Sequence, residues 1–440
     1  MKENQSRRQF FHRSFFGLMA FKSLDGVPIP GYRKNRPAKP NRIQRYNKLG
    51  RTGFKVSDIA FGNPKNEAVL KAALDAGVNY LDTGEEYGNG NSERTIGSVI
   101  KDVDRSSIFI NTKLRLKNDE SKENILDRAR KCLERLNTEY IDCLMIHNAT
   151  DVQILDCEGF HGAARQLKEE GRLRFIGITS HGTTWWKNDE TLMTETMEKV
   201  CMAAAEDGRF DVFLFIYNYL TKDMGERILK ALQEKNIGAT LMKVNPVHNY
   251  TLLQEEIKEM VERNEELTPR FKQIVKEFQA MVDRAQGFIQ KHNLHDPREI
   301  SRAAFRFVMN HPGVHTVCCQ MPNFDEMEHW LFLSGSGFSE RDKQALSGYK
   351  SSYGQFYCRH ACGICEERCP QKIPINTIMR YHHYFDSQKR EKEAMVLYSK
   401  LSRQWNDGCQ DCDGYCEQNC PYQVPIQTLL ELAHHRLSLD

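Results

Sequence analysis

Two cysteine-rich runs, and four polar residues that finish or follow apolar runs, are the parts of this 440-residue sequence equipped to do chemistry. The runs read Cys358-x3-Cys362-x2-Cys365-x3-Cys369-Pro370 and Cys409-x2-Cys412-x3-Cys416-x3-Cys420-Pro421, each spanning twelve residues. Thiolates so closely spaced are soft metal ligands. Four-cysteine zinc sites usually come as two separated CxxC pairs, whereas four ligands within twelve residues ahead of a proline suit an iron-sulfur cubane. Because CPQKIPINTI from 369 parallels CPYQVPIQTL from 420, the region reads as a duplicated module, each copy a cysteine loop leading into a helix. The remaining cysteines, Cys132, Cys143, Cys157, Cys201, Cys318 and Cys319, lie among apolar residues and read as inert buried thiols.

The four polar residues are Asp82 at the end of VNYLD, Tyr87 in DTGEEYG, Lys113 at the end of IFINTK and His147 at the end of IDCLMIH. A carboxylate, a phenol, an ammonium and an imidazole together can move a proton. Singly, each is more simply a cap, a surface group or a hydrogen-bonded core residue; four at the ends of neighbouring runs point to a site. What would position them is a repeating frame: FKVSDIAFG, VNYLDTG, IFINTKL, IDCLMIHN, RFIGITS, VFLFIYN, ATLMKV and TVCCQM alternate with amphipathic stretches such as KENILDRARKCLERL (122–136) and DMGERILKALQEK (223–235). Near-continuous apolar runs suit strands covered on both faces. Eight such units predict an α/β TIM (β/α)8 barrel over 46–345, whose chemistry sits where strands end. A doubly wound sheet is the competitor, but no GxGxxG follows the first strand.

Two charged helical stretches between 244 and 297 predict a helical insertion after strand seven, and the strand rhythm stops near 345, leaving 346–440 as a small iron-sulfur domain. With 62 Lys+Arg against 59 Asp+Glu the charge is too balanced to argue for nucleic acid, and no apolar run reaches the ~18 residues of a membrane span. The start, Ser6-Arg7-Arg8-Gln9-Phe10-Phe11-His12 and then SFFGLMAF, resembles a twin-arginine export signal over 1–31, which implies a periplasmic location, with the cytoplasm as the alternative. A basic linker at 32–45 follows.

NKLGRTGFKVSDIAFG, AGVNYLDTGEEYGNGNSERTIGSVI, INTKL, MIHN and GRLRFIGITSHG together resemble, in order and from about 46 to 243, an aldo-keto reductase. That resemblance implies NAD(P)H as cofactor, Tyr87 as general acid toward a carbonyl oxygen, Lys113 lowering the phenol's pKa, Asp82 holding Lys113, and His147 orienting the substrate oxygen or assisting proton transfer. It also assigns Thr179 and Ser180 to cofactor contact, with His181 beside them, and leaves Tyr217 to cofactor contact or to core packing. Three departures stand out. The first strand-to-helix segment is short, Leu214 replaces the family's usual carboxamide-binding Gln, and QMPNFDEMEHW lacks the Gly and basic residues that commonly grip a 2'-phosphate, so NADPH preference is not implied. The cysteine runs resemble those of bacterial ferredoxins, in which the last Cys of one run ligates the other run's cluster. By that resemblance Cys358, Cys362, Cys365 and Cys420 hold one 4Fe-4S cluster, and Cys409, Cys412, Cys416 and Cys369 a second.

The expected function is an oxidoreductase interconverting a carbonyl and an alcohol, with the clusters passing electrons to or from a redox partner protein. Hydride carries two electrons and a cluster takes one, so direct exchange normally needs a flavin, for which the sequence has no motif. The alternative is a catalytically silent barrel serving as an iron-sulfur electron-transfer or interaction module.

Overall fold

The computed structural model describes residues 41–181, 196–246, 297–354, 357–360, 362–386, 390–401 and 412–438, with Lys276 and Cys409. The stretch read as an export signal lies outside them, as does the body of the 244–297 insertion. Of the segment expected as a basic linker, residues 41–45 are described and lie on the barrel, with Ile43 buried and its N–H donating to Ala76 O at 2.9 Å.

The first apolar run splits in two. Its front half, β2 (Lys55–Ser57), pairs antiparallel with β1 (Tyr46–Lys48), and its back half enters the barrel as β3 (Ile59–Gly62). The break falls at Asp58, whose carboxylate accepts from Ser334 Oγ at 2.7 Å and Gly335 N at 2.8 Å. The β1–β2 hairpin closes one end of the barrel: Gly50, at φ 45°, comes so near the start of the seventh barrel strand that a Cβ there would meet Gly238 N at 2.4 Å. Only a residue without a side chain allows that approach.

The other seven runs form β4 (Tyr80–Asp82), β5 (Phe109–Leu114), β6 (Ile141–Ile146), β7 (Leu173–Ser180), β8 (Val212–Ile216), β9 (Gly238–Met242) and β10 (Thr316–Cys319). With β3 they make a closed barrel in which every pair is parallel, and β10 joins the ends by pairing with both β3 and β9. Every residue of β4, β5, β6, β8 and β9 is buried, as strands covered on both faces require. Helices α1 (Glu67–Asp75), α2 (Asn91–Ile100), α3 (Lys122–Leu136), α4 (Glu158–Glu169), α5 (Met197–Asp207), α6 (Lys222–Glu234), α7 (Pro297–Met309) and α8 (Phe324–Leu331) intervene or follow. In α3, Ser121 Oγ caps Asn124 N at 3.3 Å, one face buries Ile125, Leu126, Ala129, Cys132, Leu133 and Leu136, and Asn137 ends the helix at φ 48°.

The boundary drawn at 345 falls inside α9 (Glu340–Tyr353), and Asn41–Asp440 is one compact unit. After it come α10 (Ile375–Asp386), α11 (Glu391–Ser399), α12 (Tyr415–Gln418) and α13 (Ile426–Leu437), with no strand among the described residues. This segment shares an apolar cluster with the barrel: Ile375, Ile378, Tyr381 and Leu430 join Tyr219 and Leu220 beyond β8 and Ala303 and Ala304 of α7. The duplication seen in sequence is also one of geometry. Lys372 and Gln423, 51 residues apart, each adopt φ 53°. Asn376 N donates to Glu366 Oε1 at 2.6 Å, and its counterpart Gln427 N to Glu417 Oε1 at 2.8 Å. In each copy, a glutamate from the cysteine loop thus satisfies a donor that the first turn of the following helix leaves open.

Candidate active site

The hairpin covers the ends where the strands begin, and Asp82, Lys113 and His147 gather at the opposite ends. Lys113 is fully buried, and its Nζ lies 2.6 Å from Asp82 Oδ1 and donates to Thr83 O at 2.5 Å. Asn111, two residues earlier on β5, donates to the same Asp82 oxygen at 2.7 Å. The ammonium stands 4.8 Å from the centre of the Tyr87 ring, and the His147 ring meets Tyr87 edge to face at 5.5 Å. All four predicted residues therefore meet. The turn carrying Tyr87 is fixed by its two preceding glutamates: Arg128 pairs with Glu85, and Arg115 Nε lies 2.9 Å from Glu86 Oε1.

The electrostatics revise one expectation. Burial is the largest influence on Tyr87 and pushes its phenol up to about 12; the nearby Lys113 pulls it down, and Asp82 pushes back. The expected lowering by Lys113 is thus outweighed, because the buried phenolate loses its hydration and also faces a carboxylate. At neutral pH Tyr87 is a protonated donor. Burial likewise holds His147 down at about 4, despite a hydrogen bond to Glu86 that favours the charged form, so the ring is neutral. Glu86 is the partner that sequence reasoning passed over. Its Oε2 lies 3.3 Å from His147 Nδ1, and although burial alone would raise its pKa, the hydrogen bonds from His147 and Arg115 bring it down to about 2. The only signal for it was its place one residue before Tyr87.

A histidine held at about 4 in the native site titrates near 6.5 in the unfolded chain. Between those values the unfolded chain takes up a proton that the native site refuses, so stability is full above pH 6.5 and falls as pH drops toward 4. We expect melting temperature to decline less steeply from pH 7 to pH 4.5 in His147→Gln than in the native protein; parallel curves would contradict this reading of the site.

Thr179 and Ser180 occupy the end of β7, where Thr179 Oγ1 accepts from Asn148 N at 2.7 Å and Ser180 Oγ donates to Ala149 O at 3.0 Å. A hydroxyl offers one donor and two acceptor sites, so Thr179 keeps its donor and Ser180 its acceptors, although both side chains are fully buried. Tyr217 does not join them. Its ring packs on Phe307 of α7 at 5.6 Å and on His311 at 5.8 Å, and a Cβ on Gly225 of α6 would meet it at 2.2 Å, so it belongs to the layer between strands and helices. Of the six cysteines read as inert, Cys132, Cys143, Cys157, Cys201 and Cys319 are buried, whereas Cys318 is half-buried, with burial pushing its thiol well above the ordinary cysteine range.

In the cysteine region one pocket is lined by Cys358, Cys362, Cys365 and Cys420, three from the first run and the last of the second. Cys416 lies within electrostatic reach of Cys369 and Cys412, and Cys409 is buried, with its carbonyl accepting from Gln427 Nε2 at 2.9 Å. Burial pushes the Cys362 thiol up to about 11 and Cys416 to about 12. Among the described residues no three His, Cys, Asp or Glu side chains converge as they would around a single metal ion.

Among curated proteins, the uncharacterized oxidoreductase YqkF of Bacillus subtilis is 33% identical over 154 residues, which are 31% of this chain and 49% of that protein. L-galactose dehydrogenase of Arabidopsis thaliana is 35% identical over 152 residues, 30% of this chain and 47% of that one. The chain thus spans about half the length of these two relatives. Among solved structures, aldo-keto reductase AKR11C1 from Bacillus halodurans in its holo form shares 19% identity at a TM-score of 0.48, covering 69% of this chain and 96% of that one. The family model described as "Aldo/keto reductase family" matches residues 49–347, a span that contains all eight barrel strands together with Asp82, Tyr87, Lys113 and His147. By that match, the chain belongs to the aldo/keto reductase family.

Proposed function

We propose that this chain interconverts a carbonyl and an alcohol at the mouth of its barrel with NAD(P)H as hydride source, and that its cysteine region holds two 4Fe-4S clusters. The observation that carries the first part is the meeting of the buried Asp82, Lys113 and His147 with the half-buried Tyr87. A reduced nicotinamide, when bound, supplies the hydride; Thr179 and Ser180 are the groups that would hold its amide. The protein's own share is the proton. Tyr87 donates it to the carbonyl oxygen as that oxygen gains charge, the phenolate left behind is stabilised by the ammonium of Lys113, and Asp82 keeps that ammonium in place. His147, neutral and steadied by Glu86, helps to orient the oxygen or to relay the proton.

The pocket of Cys358, Cys362, Cys365 and Cys420 supports the cluster reading. A cubane takes one thiolate on each of four irons, so its ligands stand apart, and the lack of a close three-ligand group among the described residues is compatible with it. Single-electron traffic through the clusters then serves a partner protein. Export by the twin-arginine route remains part of the proposal and rests on the Ser6-Arg7-Arg8 stretch alone.

An anaerobic titration of the iron-reconstituted protein with NADH and with NADPH tests this. We expect quenching of nicotinamide fluorescence on binding of at least one nucleotide, and its oxidation when a carbonyl is added. Binding of neither would overturn the reductase reading and favour the silent barrel.

A further inference from the structure

The two copies of the cysteine module agree in their backbones and part at one side chain. Asn376 and Gln427 hold the same place in CPQKIPINTI and CPYQVPIQTL, and each ties its own N–H to the glutamate of its loop. A side-chain amide has two N–H bonds to donate. Asn376 Nδ2 donates to Cys358 Sγ at 3.4 Å and to Arg359 O at 2.7 Å. Gln427 Nε2, one methylene farther from its backbone, donates to two carbonyls instead, Cys409 O at 2.9 Å and Cys412 O at 3.0 Å. At this position the first copy offers a donor to a sulfur, and the second turns the same donor away. The effect is felt at the thiol: burial raises Cys358, and the Asn376 hydrogen bond draws it back toward the charged form. The buried Arg359 lines the same pocket, with its guanidinium 4.4 Å from the Tyr422 ring centre. Burial raises the Cys362 thiol, and this guanidinium draws it down. The second run has Gln410 and Asp411 where the first has Arg359 and His360. Glu366 and Glu417 push the thiols of their own copies upward, so they do not separate the two.

We propose that Asn376, with Arg359, makes the two clusters unequal, so that the one held by Cys358, Cys362, Cys365 and Cys420 takes up an electron at the higher potential. Reduction adds one negative charge that the sulfurs share, and a donor aimed at a ligand sulfur, or a guanidinium beside it, stabilises the reduced form more than the oxidised one. An electron delivered by a one-electron reductant then settles first at the Cys358 end of the module. That end is the one joined to the barrel, because Tyr357, one residue before Cys358, is hydrogen-bonded to Asn218 just beyond β8. The amide of Asn376 thus gives the duplicated module a direction. This rests on the two-cluster reading above and deepens it.

The test reads potentials, not turnover. The full iron-reconstituted chain is titrated anaerobically with dithionite in the presence of redox mediators, and reduced clusters are counted by electron paramagnetic resonance at each potential. Two one-electron steps are expected. Asn376→Leu and Asn376→Gln should each weaken the upper reduction equilibrium by about tenfold, ~59 mV for one electron, and leave the lower step within about twofold. Gln427→Leu should leave the upper step in place, because its amide meets carbonyls. Arg359→Gln should lower the upper step as well; if it fails to fold, the two Asn376 variants carry the test. Iron content should stay near about eight per chain in the Asn376 variants. Loss of about half that iron in both would mark the amide as a structural tie and overturn the tuning role. An upper step that stays put, a lower step that moves in its place, or both steps moving together would each overturn the proposal. A native chain that takes up no cluster would bring down the cluster reading and this inference with it, whereas clusters present with unmoved potentials would sink the inference alone.

Discussion

Tyr87→Phe is expected to lower carbonyl-dependent oxidation of NADH or NADPH by about 10²- to 10⁴-fold, the usual worth of a positioned general acid. The substitution removes one oxygen and leaves the ring, which lies 4.8 Å from Lys113 Nζ and edge-on to His147 at 5.5 Å. Packing should therefore survive, and nucleotide affinity with it. The size of the loss follows from how the site is charged. With the phenol held at about 12 and His147 at about 4, only the phenol among these two carries a proton it can give up as a cation-stabilised anion at neutral pH. Steady-state rates with unchanged nucleotide binding would establish the role. Turnover within about twofold of the native rate would remove Tyr87 from the mechanism and pass the proton to another group.

Cysteine replacements should give the second large effect, and its pattern matters more than its size. If the lining of the pocket by Cys358, Cys362, Cys365 and Cys420 marks one cluster, Cys420→Ala should remove about four of about eight iron atoms per chain. Adding Cys358→Ala should then remove no more, since both residues would serve the same cluster. Adding Cys416→Ala should remove the rest. Runs that each keep their own cluster would give the reverse pairing, with Cys420 and Cys416 equivalent. Iron and acid-labile sulfide analysis, with the absorbance near 400 nm, distinguishes these cases, and zinc in their place would dismiss clusters altogether.

The barrel was legible because its strands are buried on both faces: residues such as those of VFLFI have no solvent side to encode, so apolar content runs nearly unbroken and the eight runs can be counted. Asp58 marks where that logic slipped, since a run of apolar residues does not reveal that one carboxylate will turn out toward Ser334 and Gly335 and split it. Asp82, Tyr87, Lys113 and His147 were readable because each stands at or just beyond a strand end. Tyr217 stands at such an end too and proved to pack among helices, because a residue just past a strand can turn either inward or outward. The contact of Arg380 with the carbonyl oxygen of His181 had no local signal at all. It spans 199 positions, and only the packing of the cysteine region on the barrel makes it.

That last contact has a temporal side. A chain emerges from the ribosome at about 5 to 20 residues per second and folds from its front. All eight strands have been made by Cys319, more than sixty residues before Pro-Ile-Asn-Thr-Ile-Met-Arg delivers Arg380. For several seconds the nascent barrel would have its strands but lack one wall of its mouth. The entrance would then be complete only once α10 has been made, and a chain cut short before α10 would be a closed barrel without a finished entrance.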